Sequence, residues 1–128
     1  MITEDYVSYR TAKLLKEKGF DEPCQFLYFS KYKPEGDFVG CFHARKNSEI
    51  NEASYSAPTI QRAMKWLREE KGVAIIPVLS SILDNEKFLW DVKIVVAKTG
   101  ESYSQGWIYE KPEDAFDTAI KYCLENLI

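Results

Sequence analysis

Histidine is almost missing from this chain, with one in 128 residues, and cysteine is sparse, with three. That scarcity argues against the common four-ligand metal sites, which draw on several such side chains at close spacing. Cys24, Cys41 and Cys123 lie far apart and are odd in number, so they describe no disulfide framework. There is no Gly-rich phosphate loop: the six glycines, at 19, 36, 40, 72, 100 and 106, mostly punctuate turns and helix ends. A G-x-S-x-G nucleophile elbow is absent as well. No apolar run approaches the ~20 residues of a bilayer span. Met1-Ile2-Thr3-Glu4-Asp5 shows neither the basic start nor the apolar stretch of a secretory signal. The expectation is a reduced, cytoplasmic protein with free thiols, no membrane association, no cofactor and no bound metal.

One pair invites a chemical reading. Cys41 and His43 stand two residues apart, on one face of an expected strand. A nucleophilic cysteine needs a base that keeps it ionised, and a metal needs three or four ligands. Here only the pair exists, and it reads as a buried cysteine beside a surface histidine. The acidic pairs Glu69-Glu70 and Glu113-Asp114 fall on expected helices and face solvent, whereas acid–base catalysis needs carboxylates that converge. No catalytic residue is assigned, and the balance leans away from an enzyme.

What the chain does contain is a single core-forming domain. A charged fraction of 29% against 45% hydrophobic is the ordinary globular proportion, and 128 residues bury a core without staples. The net charge of −3 is small, but it is unevenly spread. Residues 58–72 carry four basic and two acidic side chains, and residues 101–128 carry two basic and six acidic. Two solvated helix faces explain that asymmetry better than electrostatic steering does.

The terminal helix is the clearest element. From Pro112 to Ile128, Ala115, Phe116, Ala119, Ile120, Cys123, Leu124, Leu127 and Ile128 form a helical stripe. Pro112 suits the first helical position, and Glu113 and Asp114 complement the helix dipole. The stripe runs to residue 128, so the expectation is that this end of the sequence is built into the domain. A first helix is expected from about Ser8, its N-cap, to Lys18, with Gly19 stopping it and Phe20 folding back on the last turn. Cys24–Ser30 and Phe38–His43 read as a hairpin turned by Lys33-Pro34-Glu35-Gly36, and residues 44–55 as a loop. A second helix starts near Ser56-Ala57-Pro58-Thr59 and ends at Gly72, burying Ile60, Ala63, Met64 and Leu67 with Trp66 beside them. Val73–Leu79 is a strand that Pro77 places at an edge or a bulge. Phe88–Ala97 alternates an apolar face (Phe88, Trp90, Val92, Ile94, Val96) with a mixed one. Ser102–Tyr109 completes an antiparallel meander, with Tyr103, Gln105, Trp107 and Tyr109 on one face. The expected fold is α+β, a single domain of order αββαβββα, with one antiparallel sheet and its helices packed on one face.

Aromatic residues supply the candidate binding positions. Tyr28, Tyr32, Tyr55, Tyr103, Trp107 and Tyr109 fall on strands or loops, where rings fill cores as readily as they form interfaces. Tyr55, in the long loop, and Trp107 and Tyr109, at the end of the last strand, are the residues expected to bind if any surface patch does.

Three segments resemble small uncharacterised proteins of gut Bacteroidetes and of their phages and integrated elements. They contain "TAKLLKEKGF" (11–20), the helix from Ala57 to Glu69 written APTIQRAMKWLRE, and "AIKYCLENLI" (119–128). The resemblance spans nearly the whole chain and implies an intracellular bacterial or phage accessory protein. That group has no assigned activity, so no functional residue is carried over, and the shared phrases are mostly helix stripes and caps. The leading expectation is a non-enzymatic accessory protein that docks on another protein. The alternative is a nucleic-acid-associated module, because helix–three strands–helix from 58 to 128 is also the topology of double-stranded-RNA-binding domains. In those domains the last helix begins with lysines that meet phosphate, whereas here Lys111-Pro112-Glu113-Asp114 brings two carboxylates to that place. Electrostatics therefore weighs against nucleic acid as a partner.

Overall fold

The computed structural model describes residues 3–30, 36–104, 106 and 108–128. Its elements are α1 (Tyr9–Glu17), β1 (Cys24–Phe29), β2 (Asp37–Arg45), a 3-10 turn (Asn47–Glu49), β3 (Ser54–Ser56), α2 (Ile60–Lys71), β4 (Val73–Ile82), β5 (Phe88–Val96), β6 (Ser102–Ser104) and α3 (Pro112–Asn126). The class is α+β, as the patterning predicts. No helix among the described residues is long and apolar enough to cross a membrane.

Local signals set the helices. Ser8 accepts from the Thr11 N–H and opens α1. Gly19, at φ +94°, reverses the chain so that Phe20 N–H reaches the Leu15 carbonyl at 2.9 Å and the Phe20 ring is buried. Thr59 caps α2, Gly72 ends it in the left-handed region, and Pro112 opens α3. The buried stripes follow the pattern: Ile60, Ala63, Met64, Trp66 and Leu67 on α2, and Ala115, Phe116, Ala119, Ile120, Cys123 and Leu124 on α3.

The expected single sheet is corrected to two. One antiparallel sheet has the order β2-β1-β3 and the other β4-β5-β6. The physical reason lies in residues 44–55, expected as a loop but holding the end of β2, the 3-10 turn and β3. β3 pairs Tyr55 with Tyr28 and closes the first hairpin into a sheet of its own. Asn47 stitches this connection from a buried position: its Nδ2 donates to Phe20 O at 2.7 Å and its Oδ1 accepts from Ser56 N at 2.8 Å. The helices correspondingly serve both sheets rather than one face of one. α1 packs on β3 and α3, α2 on β4 and α3, and α3 on β4 and β5. One buried cluster runs through all of them, from Val7 and Phe20 through Leu67 and Ile94 to Leu124.

The last strand is also shorter than expected. β6 ends at Ser104, Gln105 and Trp107 lie outside the described residues, and Tyr109 returns only as an isolated bridge to Trp90. Of the turn expected at Lys33-Pro34-Glu35-Gly36, only Gly36 is described; Tyr32 also lies outside.

Candidate functional site

A ten-residue strand reaches ~33 Å, whereas a fifteen-residue helix reaches ~22 Å. That mismatch decides the character of the β4–β5 hairpin. Its register pairs Ile75 with Ile94, Pro77 with Val92, Leu79 with Trp90 and Ile82 with Phe88. The irregularity between Leu79 and Ser81 lets Ser80 stand out of the ladder, and so keeps Ile82 and Phe88 on the face that carries Leu79 and Trp90. One apolar face therefore runs the length of the hairpin. Its inner half is covered: Ile94 and Val92 are buried, Tyr103 packs on the core, and Tyr109 meets Thr118 Oγ1 of α3 at 3.1 Å. Its outer half is bare. Leu79 is 45% exposed, Phe88 50% and Ile82 61%, with Leu83 exposed beyond them at the turn. The opposite face of the hairpin is interrupted by Lys93 and Asp91, which pair with Ile76 and Val78.

The arm is held in shape by its tip. Leu83 N–H donates to Lys87 O at 2.8 Å, Glu86 N–H donates to Leu83 O at 2.9 Å, and Glu86 takes φ +64°. The Phe88 and Trp90 rings meet edge to face at 6.1 Å, so the bare face presents a preassembled aromatic pair. Its free edge is chemically marked. Trp90 exchanges both main-chain hydrogen bonds with Tyr109, at 2.7 and 2.9 Å, and Val96 N–H donates to Glu101 O at 2.9 Å. These residues, and Val92 between them, thus turn their main-chain groups away from β4. Pro77, opposite Val92, must point its own backbone to the outer edge of β4, where it has no N–H to give.

The residues expected to bind are not brought together. Tyr55 lies on β3 in the first sheet, half-buried, edge-on to Tyr9 at 5.6 Å and under Lys16 Nζ at 5.5 Å from the ring. Lys16 also donates to Asn51 O and Ser54 O, and burial lowers its pKa below the ordinary lysine value despite the opposing pull of Glu52. Tyr109 lies against α3 in the second sheet, and Trp107 is outside the described residues. Ile82 was missed because the expected strand stopped at Leu79, before the bulge, whereas Leu79 and Phe88 fell on expected strands whose exposure the pattern did not encode. The available signal was the unbroken apolar face of β5.

A second concavity is an open cleft of about 790 Å³ lined by Ser8, Tyr9, Arg10, Tyr28, Gly36, Phe38, Asp117 and Lys121. Its polar groups largely serve the fold. Asp117 accepts from Ser8 N–H and from Ser8 Oγ, both at 2.9 Å, which ties α3 to the start of α1. Tyr28 OH donates to Val7 O at 2.7 Å, and burial, with Asp117 nearby, raises its pKa. The third sequence candidate, Cys41 and His43, falls where β2 leaves register with β1. Cys24 pairs with Arg45 and Phe26 with Gly40, so residues 41–44 face a single intervening residue, and Phe42 at their centre is 95% exposed. Its ring meets the His43 ring edge to face at 4.8 Å. Among the described residues no three His, Cys, Asp or Glu side chains converge to hold a metal. Compared with protein-family models, with curated proteins and with solved structures, the chain matches none.

Proposed function

We propose that this chain is a non-enzymatic accessory protein that docks on a protein partner through the outer half of the β4–β5 hairpin. The carrying observation is the continuous apolar face that is a core wall at Ile94 and a surface at Ile82 and Phe88. Exposed apolar surface of this extent, rimmed by polar positions and carrying an aromatic pair, is the physical profile of an interaction site. The resemblance to bacterial and phage accessory proteins supports the same reading and would put the partner inside a bacterial cell.

The nucleic-acid alternative keeps the β4-β5-β6 meander between α2 and α3. Charge weighs against it. Glu113 lines one groove with Glu4 and Asp5, and an adjoining groove holds Asp5, Glu113, Asp114 and Asp117. Phosphate approaching the start of α3 meets this carboxylate group. On α2, Arg62 is engaged with Pro23 O and Lys71 lies over the Trp66 ring, which leaves Lys65 and Arg68 as a short basic patch.

The test compares the native chain with an Ile82→Lys, Phe88→Lys double variant in affinity purification from the cells that make it. A partner retained by the native chain and lost by the variant is expected. Identical recoveries would remove the hairpin from the function. Titration of a labelled duplex at ~150 mM salt addresses the alternative: micromolar binding that weakens log-linearly with salt and is lost on reversing Lys65 and Arg68 to glutamate would favour nucleic acid.

A further inference from the structure

We infer that the occupant of this bare face is an amphipathic helix of another protein, and neither an added strand nor a second copy of this chain. The inference rests on the docking reading above and names its partner class. Three features of the hairpin support it.

Strand addition needs an unbroken row of N–H and C=O groups along a free edge. β4 is the long edge of its sheet, the opposite edge being the three-residue β6, and Pro77 faces that long edge without an N–H in the middle of the strand. Proline at such a position blocks pairing with another strand. The backbone thus closes the edge while the side chains leave the face open.

Self-association fails on area. Leu79, Ile82, Leu83 and Phe88 keep between 39% and 61% of their surface. At roughly 200 Å² for a large side chain, the bare patch is about 400 Å². Two such patches face to face bury about 800 Å², below the ~1,200 Å² at which stable interfaces begin. An area of that size suits a short, reversible contact with one secondary-structure element.

The face already takes helices along its inner half, where α2 and α3 lie against β4 and β5. The outer half continues the same pleated surface for about five residues, ~15 Å, the length of roughly three helical turns. A helix with apolar residues at i, i+3, i+4 and i+7 would cover Leu79, Ile82, Phe88 and Trp90 as the chain's own helices cover Ile75, Val92 and Ile94. Asp84 and Glu86 against Lys87 leave the tip turn net negative, which favours a partner helix with basic residues on its flank.

The experiment selects binders from a displayed library of random 20-residue peptides on the native chain, after depletion on Ile82→Lys, Phe88→Lys. Surviving sequences should show helical apolar spacing and basic flanks. Their binding should weaken at least tenfold on the double variant, and a proline placed at the peptide's centre should abolish it. Survivors with strict two-residue alternation would overturn the helix in favour of strand addition. A concentration-dependent dimer of the native chain in sedimentation, lost in the variant, would overturn it in favour of a second copy. Failure to recover any peptide that distinguishes native from variant would instead sink the docking reading itself. Unchanged thermal melting keeps the variant interpretable, and Ile82→Ser with Phe88→Ser replaces it if the lysines perturb folding.

Discussion

The two halves of the β4–β5 hairpin share one face and one kind of side chain, yet Ile94 is fully buried and Ile82 is 61% exposed. Nothing in the local chemistry separates them. The difference is reach: at 12 and 15 residues, α2 and α3 span ~18 and ~22 Å, less than the ~33 Å of the ten-residue β4. An apolar stripe is therefore not by itself evidence of a core. It becomes core where another element is long enough to lie on it, and surface where none is.

The largest test of this contrast is a pair of truncations on the same face. Ile94→Ala removes buried atoms beneath α3 and should destabilise by about 2–5 kcal/mol, read from urea denaturation. Phe88→Ala, at a half-exposed ring that meets Trp90 edge to face, should cost about 1 kcal/mol. Similar losses at both sites would mean that the outer half is packed and is no surface.

A smaller effect is expected where the cover itself is fastened. Asp117 holds the start of α1 through two hydrogen bonds to Ser8, so Asp117→Ala should cost about 1–3 kcal/mol. If α3 loosens, binding of a fluorescent apolar dye should rise as the inner half opens. Loss of stability without extra dye binding would show that α3 stays seated without this tie.

Protons supply a third probe of the buried side. Burial raises the Cys24 thiol from 9.0 to about 11 and the Cys123 thiol from 9.0 to about 12. Because the folded pKa values are the higher ones, these thiols contribute stability that is complete below pH 9. It is lost as pH climbs from 9 through about 11 and 12. Denaturation midpoints should fall across that range, and less steeply in Cys123→Ala. Equal slopes in the two proteins would show that Cys123 is hydrated. Thiol-reactive reagents at pH 8 should label the half-buried Cys41 first and reach Cys24 and Cys123 only on unfolding.

The smallest expected effect on stability is the most informative for function. Ile82→Lys with Phe88→Lys should lower the melting temperature only slightly while removing native-state dye binding. Retained dye binding would place the accessible apolar surface elsewhere, with Phe42 the next position to change.

Much of this architecture was legible because its causes are local. Ser8, Gly19 with Phe20, Thr59, Gly72 and Pro112 act within a few residues of where they stand, and the helix stripes repeat often enough to be read. β3 was not legible. Its three residues, Ser54–Ser56, are too few for a period, and they become a strand only because Tyr28 lies opposite Tyr55. The division into two sheets follows from that same pairing. Asn47 gave no signal either, since its role depends on Phe20 and Ser56 arriving on either side of it. Of the candidate surface, the apolar face of β5 could be read, and its exposure could not.

The amino-acid sequence by itself determined three helices with their caps, an antiparallel meander after the second of them, and an α+β class, because capping, turn chemistry and periodicity are short-range. Only the tertiary structure decided that the strands form two sheets, that Asp117 is spent on Ser8, and that Ile82 and Phe88 stay bare while Ile94 does not. Those outcomes depend on which distant element arrives and how far it extends, and no local pattern encodes the length of a neighbour.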